Sequence, residues 1–338
     1  MLSLQRGTVV EARDPAGSVQ RLDVEVEGER RPAVADTALV GPAEAGDEVV
    51  VNVAARDLGL GSGGFDVVHV NLSRGLGGPG VPGAHVMKLN YTSLQHAVLP
   101  VEGDALTLPV SAGVGVFFLH GQLAPAAWAF GQAVPHAKLG YVQTPGGALP
   151  GGLSETVREL KARGLIDGHL TAGAAYGGDG EAISTPGAIH HAAHDLGWDA
   201  VLCGPGPGIL GSGSRLGHGG MAALDTVHAA LALGAPTLVL PRMSSGDDRA
   251  RHRGLSHHAE TVLSLLLEPV VVAAPEGWEE QGAADERHHW RRAPADLDGY
   301  RVSGLPASTM GRGLDDDALF FAAALSGGRV LAGMIESA

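Results

Sequence analysis

Two neighbouring segments decide the fold: Val114-Gly-Val-Phe-Phe-Leu119 and, five residues further on, Pro125-Ala-Ala-Trp-Ala-Phe-Gly-Gln132. The first is a short apolar run that predicts a buried strand, and the second has the composition of a helix. Further strand-helix pairs follow: Leu139–Gln143 with Leu153–Arg163, Thr171–Ala175 with Ala182–Leu196, Ala200–Cys203 with Met221–Leu233, and Thr237–Leu240 with Ala259–Leu267. Continuous apolar strands that alternate with helices predict an α/β fold, with a mostly parallel, doubly wound, Rossmann-like sheet.

The beginning of the chain has a different pattern. Gly7–Glu11, Gln20–Glu27 and Asp47–Val53 are rich in β-branched residues, and turn residues separate them. We therefore predict a small all-β, barrel-like module over residues 1–84, with a structural or oligomerisation role. The α/β domain would span residues 85–338, and Gly75–Gly83 would be a linker or loop.

Two features near the C-terminus are harder to place. Glu276–Pro294 is charged and irregular, which favours a surface insertion. Tyr300–Ser303 is short and partly β-branched, and it favours a further strand.

Composition excludes several classes of function. The formal net charge of −14 argues against binding to nucleic acid, because a phosphate backbone would repel the chain. The single cysteine, Cys203, excludes an internal disulfide framework and cysteine-only zinc sites. The start of the chain has no apolar signal core, and we expect a cytoplasmic protein without membrane contact. A homo-oligomer is left open.

Chemistry-bearing residues gather in the loops that follow the predicted strands. These loops contain His120-Gly121, Thr144–Pro150, Tyr176–Glu181, Gly204–Gly220 and Pro241–His258. The loops that lead from helix to strand are short and plain. Because ligands of open parallel sheets bind beyond the carboxyl ends of the strands, this asymmetry predicts a site at that edge.

The Gly204–Gly220 loop precedes a predicted helix and has the features of an anion site. Glycines allow backbone N–H groups to approach a ligand, and a helix start carries partial positive charge. The predicted ligand-binding residues of this loop are Gly206, Gly208, Gly211, Ser212, Gly213, Ser214 and Arg215. Its G-x-G-x-x-G pattern is weak evidence for a dinucleotide in so glycine-rich a chain, and no P-loop motif is present. The alternative is a glycine-rich turn without a ligand.

The segment Pro241–His258 (PRMSSGDDRARHRGLSHH) combines two carboxylates, four arginines and three histidines. Arginines suit phosphate or carboxylate, and histidines suit proton transfer or metal ligation. The predicted catalytic residues are Asp248, Arg251, His252, His257 and His258, and Arg253 is predicted to bind the ligand. Ser256 is expected to cap the next helix, which would lower the pKa of the two histidines after it. The alternative is a salt-bridged loop.

Asp179 and Glu181 form a second candidate group, because carboxylates just past a strand can hold a divalent cation or ribose hydroxyls. Helix capping by Asp179 or Ser184 is the alternative. The candidate metal ligands are His120, Asp179, His252 and His257. His190 and His194 share a helix face but lack the glutamate of a metalloprotease motif, so we interpret them as surface residues. Arg312 would join the site if the last helix packs near it.

Several stretches in order resemble an uncharacterised bacterial protein family, known only as a domain of unknown function. They are Gly83–Gln95, Gly146–Pro150, Gly177–Ala182, Gly206–Ser214 and Arg251–His258. The resemblance runs from the barrel-like start to near the C-terminus. It implies no activity.

The sequence therefore favours an enzyme that acts on a small phosphorylated or carboxylated metabolite at the carboxyl edge of a parallel sheet. A divalent metal or a nucleotide is an open choice of cofactor. The alternative is a non-catalytic protein that binds a nucleotide or metabolite. A structural scaffold without a ligand is the third interpretation, and it requires the strand-tip residues to be scattered and internally paired.

Overall fold

Five strands near the N-terminus close into a barrel, which confirms the predicted all-β module. They are β1 (Leu4–Ala12), β2 (Val19–Val26), β3 (Glu29–Asp36), β4 (Glu48–Asn52) and β5 (Asp66–Asn71), paired in the order β1-β2-β3-β5-β4. Strand β1 also pairs with β4, so the sheet has no free edge. Val24, Val49 and Val51 are fully buried in its interior.

The structure is a computed structural model, and it describes residues 2–59, 64–74, 80–148, 150–278 and 287–336. Most of the proposed linker Gly75–Gly83 lies outside these residues. The chain divides into two compact units, residues 1–99 and residues 100–338. The first unit also contains two single-turn helices and a small hairpin, which are α1 (Thr37–Val40), α2 (Ala54–Asp57), β6 (Val86–Lys88) and β7 (His96–Val98).

The second unit is built on an eight-stranded sheet, and every pair in it is parallel. Its strands are β8 (Gly113–Phe117), β9 (Leu139–Thr144), β10 (Gly168–Ala172), β11 (Gly180–Ala182), β12 (Ala200–Pro205), β13 (Thr237–Leu240), β16 (Val271–Pro275) and β17 (His289–Ala293), with β14 (Met243–Ser244) and β15 (Gly254–Leu255) forming a separate hairpin. The strand order is β11-β10-β9-β12-β8-β13-β16-β17. The predicted α/β class with a parallel sheet is confirmed.

Helices cover both faces of this sheet. They are α3 (Leu123–Ala133), α4 (Glu155–Ala162), α5 (Thr185–His194), α6 (Ala222–Ala232), α7 (His257–Leu265), α8 (Leu297–Ser303) and α9 (Ala318–Glu336). Leu202 and Phe117 point into the core with α3 and α9, whereas Val201 and Val116 point into the core with α5, α6 and α7. Because side chains alternate along a strand, each central strand supplies both cores. Cys203 is buried in the second core, and burial raises the pKa of its thiol.

The crossovers place a topological switch point between β8 and β12. From β8 the chain passes through α3, on one face, to β9, whereas from β12 it passes through α6, on the other face, to β13. The connections that leave these two neighbouring strands therefore run towards opposite edges of the sheet. A crevice at the carboxyl ends of such strands is where open α/β sheets bind ligands.

Helix α9 lies unusually close to the elements beneath it. A Cβ added at Gly328 would lie 2.1 Å from the carbonyl oxygen of Ala126 in α3, and one at Gly327 would lie 2.5 Å from Leu240. The helix is long and apolar enough to cross a membrane, judged by length and composition alone. However, 67% of its apolar window is buried inside the protein, as expected for a core helix.

Two expectations near the C-terminus are wrong. Tyr300–Ser303 belongs to helix α8, because the Asp296 side chain caps its start and Gly304, at φ 67°, ends it. Residues 289–293 of the expected surface insertion form the edge strand β17, paired to β16, and residues 279–286 lie outside the described part of the chain. Most side chains of β17 are exposed, so the strand lacks the apolar run of a central strand.

Because α9 crosses α3 so closely, we expect a glycine-to-alanine substitution to have opposite effects on the free energy of unfolding at two positions of α9. Gly328→Ala should destabilise the protein by about 1–3 kcal/mol, because the backbone of α3 has to shift. Gly333→Ala, in the same helix, should stabilise it by about 1 kcal/mol, because the site is exposed and no atom of the described residues lies within 4 Å of the new methyl group. Denaturant unfolding followed by circular dichroism measures both. Equal effects would contradict the packing argument.

Candidate functional site

The Pro241–His258 segment forms a hairpin at the carboxyl edge of the sheet. Strands β14 and β15 pair, and the loop between them carries Asp247, Arg249 and a 3₁₀ turn, Ala250–His252. Ser256 then caps α7, as predicted, because its hydroxyl accepts from the backbone N–H of His258. The cap places His257 and His258 in the first turn of the helix.

Four imidazole rings meet beside this helix start. His252, His257 and His258 come from the hairpin and α7, and His218 comes from the glycine-rich loop. The ring centroids of His218 and His258 are 3.6 Å apart in a parallel stack, and those of His257 and His258 are 4.4 Å apart. His252 lies 4.8 Å from both His257 and His258. All four side chains are buried.

These histidines are held in the neutral form. Burial is the main reason why the pKa of His252 is lowered to about 3 and that of His258 to about 2. The positive charge of Arg242 lowers both pKa values further. Burial also lowers the pKa of His218 and His257. Neutral imidazoles keep a nitrogen lone pair, which can accept a proton or bind a metal ion.

Hydrogen bonds fix three of the four rings. His252 Nδ1 lies 2.7 Å from the Ser256 hydroxyl, and His218 Nε2 donates to the Arg215 carbonyl at 2.8 Å. His258 Nδ1 accepts a longer bond from Arg242, at 3.3 Å. Two buried nitrogens, His257 Nε2 and His218 Nδ1, have no partner among the described residues. Buried polar atoms without partners are rare and call for a functional explanation.

A single carboxylate anchors the arginines behind the histidines. Asp247, with a side chain only 2% exposed, accepts from Arg242, Arg249 and Arg312. The Arg249 guanidinium above all holds the pKa of Asp247 well below its usual range. Arg312 also donates to the buried Asp317, which ties the start of α9 to the hairpin. Arg312 therefore reaches this cluster from a distant part of the chain.

A cavity of about 330 Å³ opens beside the histidines and has a basic lining. Arg215 from the glycine-rich loop and Arg251 and Arg253 from the hairpin line it, together with His257. The remaining lining residues are Gly213, Ala250, Leu255 and Glu260. We call this space the basic cavity. It brings together Arg215 and Arg251, which lie 36 positions apart in the sequence.

A second cavity, of about 230 Å³, lies at the switch point between β8 and β12. Its lining includes His120 and Gly121 after β8 and Gly206–Ile209 after β12. None of its described lining residues is an arginine, lysine or carboxylate, and we call it the neutral cavity. His120 is fixed there, with Nε2 lying 2.6 Å from the Ser154 hydroxyl, and burial lowers its pKa to about 4.

The glycine-rich loop is thus shared between the two cavities. Gly206 and Gly208 line the neutral cavity, whereas Gly213 and Arg215 line the basic one. Ser212 and Ser214 are exposed and bond to each other, and both also hold Gly217. A backbone bridge from Gly211 to His218 closes this turn. The serine hydroxyls stiffen the loop, and neither lines a cavity.

The other predicted residues lie apart from both cavities. Asp179 accepts from the backbone N–H of His169 and pairs with Lys161, and Glu181 accepts from Thr171 and from Gly177 N. Both carboxylates are at the far edge of the sheet, on or beside β11. Of the candidate metal ligands, only His252 and His257 come together; His120 lies in the neutral cavity and Asp179 at that far edge. Asp248 is exposed, next to the buried Asp247.

Sequence reasoning missed several members of the site. His218 was within the quoted loop, but its neighbours gave no sign that it would turn inward. Arg242 was expected, with the other arginines of its segment, to bind an anion, but it is 2% exposed and pairs with Asp247. Ser154 and its contact with His120 join positions 34 residues apart, for which no local pattern exists. His190 accepts from the backbone N–H of Thr107, and His194 donates to the carbonyl of the same residue.

The pattern of one protein family matches most of the chain. It is described as a protein of unknown function, DUF3866, and the match covers residues 32–328. The chain belongs to this family. The predicted resemblance to a family of unknown function is therefore confirmed. No curated protein and no solved structure matches the chain.

The anchoring role of Asp247 can be tested against its neighbour. Asp247→Asn should destabilise the protein by about 3–5 kcal/mol, because it leaves the buried guanidinium of Arg242 without its counter-charge. Asp248→Asn, one residue on and exposed, should change the free energy of unfolding by less than about 0.5 kcal/mol. Urea unfolding of the two variants measures the difference. Similar values would show that the carboxylate does not organise the cluster.

Proposed function

We propose that the protein is an enzyme acting on a small phosphorylated or carboxylated metabolite, whose anionic group binds in the basic cavity. The observation that supports this best is the convergence of Arg215, Arg251 and Arg253 on one space beside His257. The proposal does not specify the reaction.

The charges of the basic cavity favour an anion. Among the described residues, the guanidiniums of Arg215 and Arg251 have no ion-pair partner, and Arg253 Nε donates only to the backbone carbonyl of Asp247. The exposed Glu260 is the single carboxylate in the lining. Guanidinium groups bind phosphate and carboxylate through paired N–H donors, so a small anion would satisfy donors that the protein leaves open.

The arrangement is also rigid before any ligand arrives. The hairpin that carries Arg251 and Arg253 is held by β14–β15 pairing and by the contacts of Asp247. Arg215 is on a turn closed by its own serines. A site that is ordered in advance loses less conformational entropy on binding and positions its ligand accurately.

The buried histidines favour an enzyme over a simple binding protein. Binding an anion requires only the arginines, whereas His257 adds a neutral imidazole with a free Nε2 to the same lining. A buried nitrogen without a partner costs stability, so its presence favours a chemical role. The non-catalytic alternative uses the same arginines and predicts binding without turnover.

Anion binding is tested by calorimetric titration with inorganic phosphate, a sugar phosphate, a nucleoside monophosphate and a dicarboxylate. Arg251→Gln should lower the affinity for the tightest-binding probe about 10- to 100-fold, because a hydrogen bond to a charged group contributes about 1.5–3 kcal/mol. Arg291→Gln, which changes an exposed arginine on β17, is the matched control and should leave affinity unchanged. The proposal fails if no probe binds at millimolar concentration, or if both variants bind like the wild type.

Turnover then separates the two candidates. The protein is incubated with pooled sugar phosphates, nucleoside phosphates and dicarboxylates, and mass spectrometry follows their loss. Conversion that is lost in His257→Gln and retained in Arg291→Gln supports an enzyme. Binding of the same compounds without conversion supports the non-catalytic alternative. The cytoplasmic location and the absence of a nucleic-acid partner stay predictions.

A further inference from the structure

We propose that His252, His257 and His258 bind one transition-metal ion of the zinc class beside the basic cavity. The inference goes beyond the proposed function, because metal binding by these imidazoles does not require the anion. It rests on the geometry of the cluster, on its unpartnered nitrogen and on the types of ligand that the cluster offers.

The geometry is close to that of a three-histidine site. One ring nitrogen of each histidine lies within 4.8 Å of the others. Zinc binds imidazole nitrogen at about 2.0–2.1 Å, so tetrahedral ligands lie about 3.4 Å apart. Small side-chain rotations close this gap, and the backbone can stay fixed because Ser256 and the hairpin already hold all three residues.

The hydrogen-bond partners of the rings resemble the groups that orient ligating histidines in metal sites. A ligating histidine usually makes a hydrogen bond through its second nitrogen, which fixes the ring. His252 has Ser256 in this position. Beside the cluster, His218 donates from Nε2 to the Arg215 carbonyl. Within the cluster, the buried Nε2 of His257 has no hydrogen-bond partner among the described residues, and a bound ion would satisfy it.

Charge and ligand type select the class of ion. No carboxylate belongs to the cluster, which disfavours magnesium and calcium, whereas imidazole nitrogens suit zinc, cobalt, nickel and copper. The nearby arginines oppose any cation. If His258 ligates through Nδ1, it has to give up the 3.3 Å bond from Arg242, and Arg242 then keeps Asp247 as its partner. An anion on Arg215 and Arg251 would offset the positive charge.

The metal cluster adjoins the basic cavity through one shared histidine. His257 belongs both to the metal cluster and to the lining of that cavity. Three protein ligands leave one position for water or for a ligand oxygen, the arrangement found in catalytic zinc sites. The arginines would then bring an anionic ligand next to the ion.

The test uses the full-length chain without a histidine tag, stripped with a chelator and titrated with Zn²⁺ or Co²⁺. We expect one equivalent of metal ion to stay bound through gel filtration. With Co²⁺, the bound ion should give the intense visible absorption bands of tetrahedral coordination. His257→Gln and His252→Gln should each weaken binding at least 100-fold. The control is His190→Gln/His194→Gln, a surface pair with rings 4.5 Å apart, which should keep the tight equivalent.

A measurement on the wild type covers the case in which a variant fails to fold. X-ray absorption of the zinc-loaded protein should show at least three imidazole nitrogens at about 2.0 Å. Any of three results would overturn the proposal: fewer than three imidazole nitrogens around the zinc, no equivalent of metal retained by the wild type, or loss of the tightly bound metal only in the His190/His194 control. The phosphate titration is run on metal-free protein, so a failure of metal binding and a failure of anion binding are read separately.

Discussion

The arrangement at the carboxyl edge of the sheet depends on one carboxylate shared by several guanidiniums. Asp247 joins Arg242 behind the histidines, Arg249 in its own loop and Arg312 from the segment before α9. Isolated like charges this close would repel one another, and a buried arginine without a counter-ion would not be tolerated. The shared carboxylate makes the cluster stable and fixes the hairpin from which Arg251, Arg253 and the histidines project. Among the described residues, Arg215 and Arg251 in the cavity lining have no ion-pair partner, whereas the three arginines around Asp247 do.

Much of the architecture follows from local pattern. Apolar runs such as Val114–Leu119 are buried on both faces, and such runs have few solutions other than a parallel sheet between helix layers. Because parallel strands share one carboxyl edge, the chemistry-bearing loops had to gather on one side. The cap at Ser256 and the placement of His257 and His258 after it also follow from residue type and spacing. In these respects the sequence was sufficient.

Other features depend on contacts between distant positions, and no local signal carries them. Arg312 and Asp247 are 65 residues apart, and the sequence could not tell Asp247 from the adjacent Asp248. One of these becomes buried and the other exposed according to how a tight turn is oriented. The strand order, and hence the switch point that divides the glycine-rich loop between two cavities, is equally non-local. For Asp179 and Glu181 the local pattern suggested a ligand site, whereas the two carboxylates make hydrogen bonds that hold the edge strand β11 and the residues beside it.

The burial of Cys203 has a practical consequence. The one sulfhydryl of this chain lies in the middle of the sheet with its proton tightly held, so alkylating reagents and oxidants meet no reactive thiolate on the native surface. A cysteine introduced at a chosen exposed position would therefore be the single target for a fluorophore or spin label. Distance measurements between such a probe and a paramagnetic ion could be made without first removing the natural residue.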